Sequence, residues 1–190
     1  MKVNVYDFDN TIYDGETLVD YIMYYIKHDV KIWRYVPKLL VIAFKDKFHL
    51  FSVDEAVTAY ASFLEGYYVK LENPAENIVD FWDKNEHRIK PWYFDVKKDS
   101  DIIVSGTLDF ILEEIAGRIG FKRYVGSSID EKTGKFSRLC FLENKVKAFC
   151  ELFPDAKIEN FYTDSMNDKA MMDISEHVYL VKKDKITQIK

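Results

Sequence analysis

Thiol content is low: this 190-residue chain has two cysteines. That excludes the disulfide framework on which small secreted scaffolds depend. Cys150 falls on the apolar side of a helical pattern and reads as a free, buried thiol in a reducing compartment. Basic charge is also short, with 27 Lys and Arg against 32 Asp and Glu and a net charge of -5. A chain of this balance makes no case for a nucleic-acid partner. No apolar run free of charges is long enough to span a bilayer. The chain opens directly on a strand pattern, without a charged region followed by an apolar signal segment, so the expectation is a cytoplasmic protein. Internal repeats and low-complexity tracts are absent from the sequence. At this length a core of its own and a modest insertion can both be accommodated.

What is present begins with a pair of acids at the end of an apolar strand. In Val3-Asn4-Val5-Tyr6-Asp7-Phe8-Asp9-Asn10-Thr11 the strand period of two puts Asp7 and Asp9 on one side and Phe8 on the other. Ligands in open parallel α/β sheets sit outside the carboxyl ends of the strands. Two carboxylates there, with a hydroxyl two positions on, outline a site for Mg²⁺ and a phosphate.

Three later segments supply complementary chemistry in order. The apolar run after Asp101 ends in Ser105, Gly106 and Thr107, then enters a helix with Leu108, Ile111, Leu112, Ile115 and Ile119 on its apolar face and Gly120 as its cap. Ser105 either caps that helix or donates, with the free helical N–H groups, to a phosphoryl oxygen. Lys145 lies near the start of a helix whose buried face is marked by Val146, Phe149, Cys150 and Phe153. A lysine at the positive end of a helix suggests an anionic partner, with Lys147 a close alternative. Finally, Phe161-Tyr162-Thr163 runs into Asp164, with Asp168 a turn later. Hard oxygen ligands on the same sheet edge as Asp7 and Asp9 suit Mg²⁺.

Residues 14–95 read as helices. Helices are expected over Gly15 to His28, over Lys31 to Lys47 with a bend or start near Pro37, and over Ala56 to Tyr67 after a capping box from Ser52 to Glu55. A fourth would enter through Asn73, Pro74 and Glu76. From Lys27 to Lys47, six Lys or Arg against two Asp are interleaved with Trp33, Tyr35 and Phe44. That stretch reads as bundle core with a solvated face; the alternative is a surface for weak association with an anionic membrane or a lipid-like phosphate ester. Tyr124 through Phe136 reads as a hairpin.

The four motifs, Asp7-x-Asp9-x-Thr11, Ser105, Lys145 and Asp164-x-x-x-Asp168, resemble those of the haloacid dehalogenase superfamily. The helical stretch and the hairpin look like its phosphoserine phosphatase branch. The resemblance implies an α/β fold: a Rossmann-like, doubly wound parallel sheet from residues 1–13 and 96–190, with an inserted α-helical bundle cap at 14–95. It implies Asp7 as a nucleophile that forms an aspartyl-phosphate and Asp9 as general acid and base. Ser105 and Lys145 would hold the phosphoryl group, with Thr11, Gly106 and Thr107 among the substrate-binding residues. Mg²⁺ would be bound by Asp7, the Asp9 carbonyl and Asp164, with Asp168 supporting the metal shell. An aspartate at position 9 looks like phosphatase or phosphotransferase chemistry rather than that of dehalogenases, phosphonate hydrolases or ion pumps.

The expected reaction is hydrolysis of a small phosphorylated metabolite. A larger lipid-linked or protein-bound phosphate is the alternative, and a phosphate-binding domain without turnover the third reading. Glu16 falls where phosphoserine phosphatase keeps a carboxylate for the substrate's ammonium, or else it caps its own helix. No arginine occurs between Arg34 and Arg88 to meet the serine carboxylate.

Overall fold

The computed structural model describes all residues except 29, 49, 69–76 and 131, so the helix start expected at Asn73, Pro74 and Glu76 lies outside the described residues. Seven strands, β1 (Lys2–Tyr6), β2 (Ile102–Leu108), β3 (Tyr124–Ile129), β4 (Phe136–Arg138), β5 (Lys157–Thr163), β6 (His177–Lys182) and β7 (Lys185–Gln188), form one sheet in the order β4-β3-β2-β1-β5-β6-β7. β1 lies between β2 and β5 and is parallel to both, and β3 and β6 extend the parallel part outward. β4 and β7 fold back antiparallel at the two edges, the first making the expected hairpin with β3. The strand order therefore reverses at β1, and the crevice beyond its carboxyl end is where such sheets bind ligands.

Both faces of the sheet are buried, and the alternation of strand side chains divides them. Val3 and Val5 of β1, with Ile102 and Val104 of β2, pack against Ala148 and Phe149 of α7 (Glu143–Leu152) and Met171 and Met172 of α8 (Lys169–Asp173). Tyr6 and Ile103 point the other way, toward Ile111, Leu112 and Ile115 of α6 (Asp109–Ile119). On that same side an aromatic ladder crosses the strands, Tyr6 on Tyr162 and Tyr162 on Tyr179, each pair stacked at 4.7 Å.

Between β1 and β2 the chain forms α1 (Thr17–His28), α2 (Val36–Lys47), α3 (Val53–Tyr68), α4 (Ile78–Asn85) and α5 (Pro91–Val96), with a 3-10 turn at Val30–Tyr35 before α2. Pro37 stands in the first turn of α2, where its missing N–H costs nothing. The capping box is formed: Ser52 N–H donates to Glu55 Oε2 at 2.8 Å and Glu55 N–H to Ser52 Oγ at 3.3 Å. It opens α3 at Val53, three residues ahead of the expected Ala56. Trp82 ties this helical stretch to the sheet. Its indole is fully buried edge-on to Phe8 and Tyr13, at 6.2 and 5.6 Å, and its N–H donates to the Ile111 carbonyl at 2.9 Å.

Two expectations need correction. Cys150 is exposed, and the buried thiol is Cys140. The inward residues of α7 are Lys145, Ala148 and Phe149, because Lys145 enters the interior to meet acids and turns Cys150 outward. The run from Leu39 to Phe44 is not mostly bundle core either. Leu40, Val41 and Phe44 are 63, 55 and 57% exposed, and Trp33 is 58% exposed, whereas Ile42 is buried. Among the described residues no helix is long and apolar enough to cross a membrane.

One buried acid lies outside the ligand crevice. Asp101 precedes β2 and is 1% exposed. One of its oxygens accepts the Lys98 N–H at 2.7 Å and the other has no partner at hydrogen-bond geometry among the described residues. Burial raises its carboxyl above the usual range. An acid raised on folding binds protons more tightly in the native state, so its contribution falls as pH rises from about 4 through the folded value. Asp101→Asn keeps the acceptor for Lys98 and removes the charge. Its stability gain over the parent chain, read from urea melts, is therefore expected to widen between pH 4 and pH 7. An equal difference at both values would mean that Asp101 is already solvated as a carboxylate.

Candidate active site

The chain reverses directly after β1. N–H groups of Thr11, Ile12 and Tyr13 all converge on the Phe8 carbonyl at 3.2, 2.9 and 3.0 Å, while the Phe8 ring is buried beneath. Asn10 takes φ 55°, a left-handed conformation that asparagine tolerates. Asp7 is fixed from the other side, its N–H donating to the Tyr162 carbonyl of β5 at 2.9 Å.

Asp7 and Asp168 share one ammonium. Lys145 Nζ donates to Asp7 Oδ1 at 2.9 Å and lies 2.8 Å from Asp168 Oδ1, with all three side chains buried. The second Asp168 oxygen accepts the Thr163 hydroxyl at 2.8 Å. Burial works against the charge on Lys145, but the two acids outweigh it and its pKa is raised. Burial, with Asp168 and Asp9 as like charges, lifts Asp7 well above the usual carboxylate range even though Lys145 pulls it down. The backbone before α7 aims this lysine: Leu142 adopts φ 49°, and the Lys145 N–H closes the turn on the Leu142 carbonyl at 3.1 Å.

Asp9 is held quite differently. Its Oδ1 accepts both the N–H (2.9 Å) and the hydroxyl of Thr17, and its Oδ2 accepts the Thr107 hydroxyl at 2.7 Å. Its carboxylate thus caps α1 and bridges to β2. Burial raises its pKa, opposed by those hydrogen bonds. A carboxyl oriented this firmly and inclined to keep its proton is suited to giving that proton to a leaving oxygen.

Ser105 is buried within β2, which continues to Leu108, and α6 begins at Asp109 without a side-chain cap. Ser105 is therefore not a helix cap; its Oγ accepts the Thr107 N–H at 3.1 Å. A Cβ on Gly106 would lie 2.5 Å from the Phe141 ring, so glycine is what allows that ring to lie over the strand end. Thr11 does not reach the crevice. The turn on Phe8 directs it inward, where its hydroxyl is fully buried and has no hydrogen-bond partner among the described residues. Glu16 accepts a hydrogen bond from Asn10 Nδ2 at 2.5 Å, and the N–H at the start of α1 goes to Asp9 rather than to Glu16. Loss of water on its inner side, with Asp9 and Asp164 as like charges, pushes the Glu16 carboxyl up to about 7. Beside Asp9, Glu16 and Thr107 opens a cavity of about 390 Å³.

Thr17, Thr163, Lys182 and Phe141 were not expected here. Lys182 donates to the Asp164 carbonyl. Thr17 and Thr163 are single hydroxyls without a local pattern, and the positions of Lys182 and Phe141 follow from strand order.

Metal binding can be tested against the donor set. Among the described residues no three acid, histidine or cysteine side chains gather as a cage, and both oxygens of the Asp9 side chain are occupied. This removes the Asp9 carboxylate, and with it Asp168, which is committed to Lys145 and Thr163, from direct ligation. Asp7 and the half-buried Asp164 remain, with the Asp9 carbonyl, which accepts no hydrogen bond among the described residues. Two carboxylates and a carbonyl fit Mg²⁺, which keeps several waters. Burial is the main reason that both carboxyls are raised, with Asp168 adding a like charge to each.

Removing the ammonium leaves buried acids without a counter-charge. Lys145→Met is expected to cost about 3–5 kcal/mol at pH 7 in urea melts without divalent cations. The loss should shrink at pH 5, because Asp7 can then take up a proton. A cost below about 1 kcal/mol at both pH values would show that the triad carries no net charge coupling.

The chain matches the family model described as haloacid dehalogenase-like hydrolase over residues 5–173. Among curated proteins none matches it. Among solved structures it is similar to a protein of unknown function from Bordetella pertussis Tohama I, with TM-score 0.73, 15% identity, and 93% of this chain and 88% of that chain covered. It is also similar to a phosphoserine phosphohydrolase-like protein from Francisella tularensis subsp. tularensis SCHU S4, with TM-score 0.63, 15% identity, and coverage of 94% and 86%. At such identities the likeness is one of fold, whereas the family match spans the segments that carry Asp7, Asp9, Ser105, Lys145, Asp164 and Asp168. The chain therefore belongs to the haloacid dehalogenase-like hydrolase family.

Proposed function

We propose that this hydrolase is a Mg²⁺-dependent phosphatase that cleaves the phosphate monoester of a small molecule through an aspartyl-phosphate on Asp7. The observation that carries the reading is the contrast between two neighbouring carboxyls. Asp7 has one oxygen on Lys145 and the other without a hydrogen bond among the described residues, whereas Asp9 is oriented through both of its oxygens.

In the first step an Asp7 oxygen attacks phosphorus, the bond to the ester oxygen breaks, and Asp9 gives that oxygen its proton. In the second, water attacks the same phosphorus and gives a proton to Asp9. The bond to Asp7 then breaks, and inorganic phosphate leaves. Lys145 offsets charge on Asp7 and on the phosphoryl oxygens, and the buried Ser105 hydroxyl is a further donor at the strand end. Mg²⁺ bound by Asp7, Asp164 and the Asp9 carbonyl would neutralise phosphoryl charge. Asp168 keeps Lys145 in place.

Residues 14–95 act in this reading as a cap on a core formed by 1–13 and 96–190. Supporting it, Leu18 and Ile22 of α1 and Tyr60 and Leu64 of α3 line the same cavity as Asp9 and Thr107. A cap that excludes water protects the acyl phosphate until Asp9 directs hydrolysis. Two free cysteines, one of them exposed, suit a reducing cytoplasmic compartment.

Phosphate release from p-nitrophenyl phosphate is expected to need Mg²⁺ and to stop on chelation. Asp7→Asn should abolish it with an unchanged circular dichroism spectrum, and Asp9→Asn should lower kcat by about 10² to 10⁴. Turnover persisting in Asp7→Asn would eliminate the covalent route. Separately, Mg²⁺ should raise the Tm of the parent chain and leave that of Asp164→Asn nearly unmoved; equal shifts in both would take Asp164 out of the metal site.

A further inference from the structure

Building on the phosphatase reading, we propose that the alcohol carried by the phosphate is apolar: an alkyl or aryl group of about eight to twelve carbons, bearing no carboxylate. The size follows from the cavity, whose volume of about 390 Å³ holds about a dozen non-hydrogen atoms at roughly 30 Å³ each. Ethanolamine or choline would fill only a small part of it.

The chemistry follows from the walls. α1 contributes Leu18 and Ile22, α3 contributes Phe63 and Leu64, and Phe136 and Phe141 close the opposite side. Among the described residues the charged groups on this lining are Asp9 and Glu16, with no Lys, Arg or His. An alcohol with its own carboxylate would lose water there and meet no cation. Glu16 is the one acid not used by the reaction, and one of its oxygens is already taken by Asn10 at 2.5 Å. The apolar wall also reaches the reacting end. Phe141 lies against Gly106, the residue next to Ser105, so close that a Cβ there would meet the ring at 2.5 Å.

The outer side of the wall agrees. Leu39 of α2 closes the cavity, while its neighbours Leu40, Val41 and Phe44 are 63, 55 and 57% exposed beside Lys38 and Lys45. An apolar, basic strip of this kind suits an ester held at an anionic lipid surface as well as one free in solution.

The test uses the full chain with Mg²⁺ and a series from ethyl to dodecyl phosphate, alongside phosphoserine and phosphoethanolamine. The kcat/KM is expected to rise about fourfold per methylene until the cavity is full, at about ten carbons, and then level off. Ala61 of α3 also lines the cavity, so Ala61→Trp, which places an indole on the wall, should move the plateau to shorter chains. Alkylphosphonates, which cannot release phosphate, are titrated in parallel by calorimetry. Their affinity should grow with chain length, with an increasingly negative heat-capacity change. Dodecyl phosphate in solution and the same ester in phosphatidylglycerol vesicles, compared at equal concentration, identify the source by whichever turns over faster. If phosphoserine or phosphoethanolamine outruns octyl phosphate and phosphonate affinity is flat with length, the proposal falls and the phosphatase reading stands. If no ester is hydrolysed yet phosphonate affinity rises with length, the phosphatase reading falls and the apolar site stands. Flat affinity with no hydrolysis overturns both.

Discussion

A single ammonium buried between two carboxylates organises this molecule. Lys145 brings the start of α7 against the ends of β1 and β5, because Asp7 follows the first strand and Asp168 follows the second. None of the three side chains has more than a small remnant of solvent, so each acid depends on Lys145 for the charge it carries and Lys145 depends on both acids. A buried ion pair seldom adds much net stability, since desolvation consumes most of the attraction. What it does here is set geometry: Leu142 is held at a positive φ and Cys150 is turned to solvent so that Lys145 can point inward. Two acids against one base leave a residual negative charge, which is the physical requirement for a cation in the same place.

The same strand ends assign opposite environments to two acids only two residues apart. Asp7 faces the ammonium, and Asp9 faces hydroxyls and the amino end of α1. The turn that separates them is enforced by three N–H groups on the Phe8 carbonyl, and that turn is anchored by the Phe8 ring against Trp82. In the proposed reaction, nucleophile and acid must differ in protonation at the moment of attack. The fold gives the two acids different partners, an ammonium for Asp7 and two hydroxyls with an N–H for Asp9, within two residues of each other.

Legibility in the sequence followed the range of the determining interaction. The Asp7, Asp9 and Asp164 positions could be read because strand period and strand order act over a few residues and imply a shared edge. Lys145 could be read in outline, since a cation at a helix start asks for an anion, but its burial could not. Helical periodicity marked Cys150 as inward, whereas the pull of two distant acids set the actual face. Thr11 misled for a related reason. Its spacing from Asp9 suggested a site hydroxyl, while the Phe8 turn directs it inward and Thr17, eight residues from Asp9, takes the role of its donor. The apolar face of α2 was misread because periodicity tells which residues share a face and not whether anything covers it.

Thr17 has a consequence for how the helical stretch and the chemistry are joined. The two donors it gives Asp9 are the backbone N–H and the hydroxyl of the first residue of α1, while Thr107 supplies the third from β2. Residues of that same helix, Leu18 and Ile22, wall the cavity. Any displacement of α1 that opens the cavity must therefore lengthen the contacts to Asp9 Oδ1, and any ligand that fills the cavity supports them. Each of these hydrogen bonds stabilises the carboxylate form, so their loss raises the proton affinity of Asp9 and their return lowers it. In the proposed reaction, an acid that yields its proton more readily with all three donors in place is matched to a cavity that α1 itself walls.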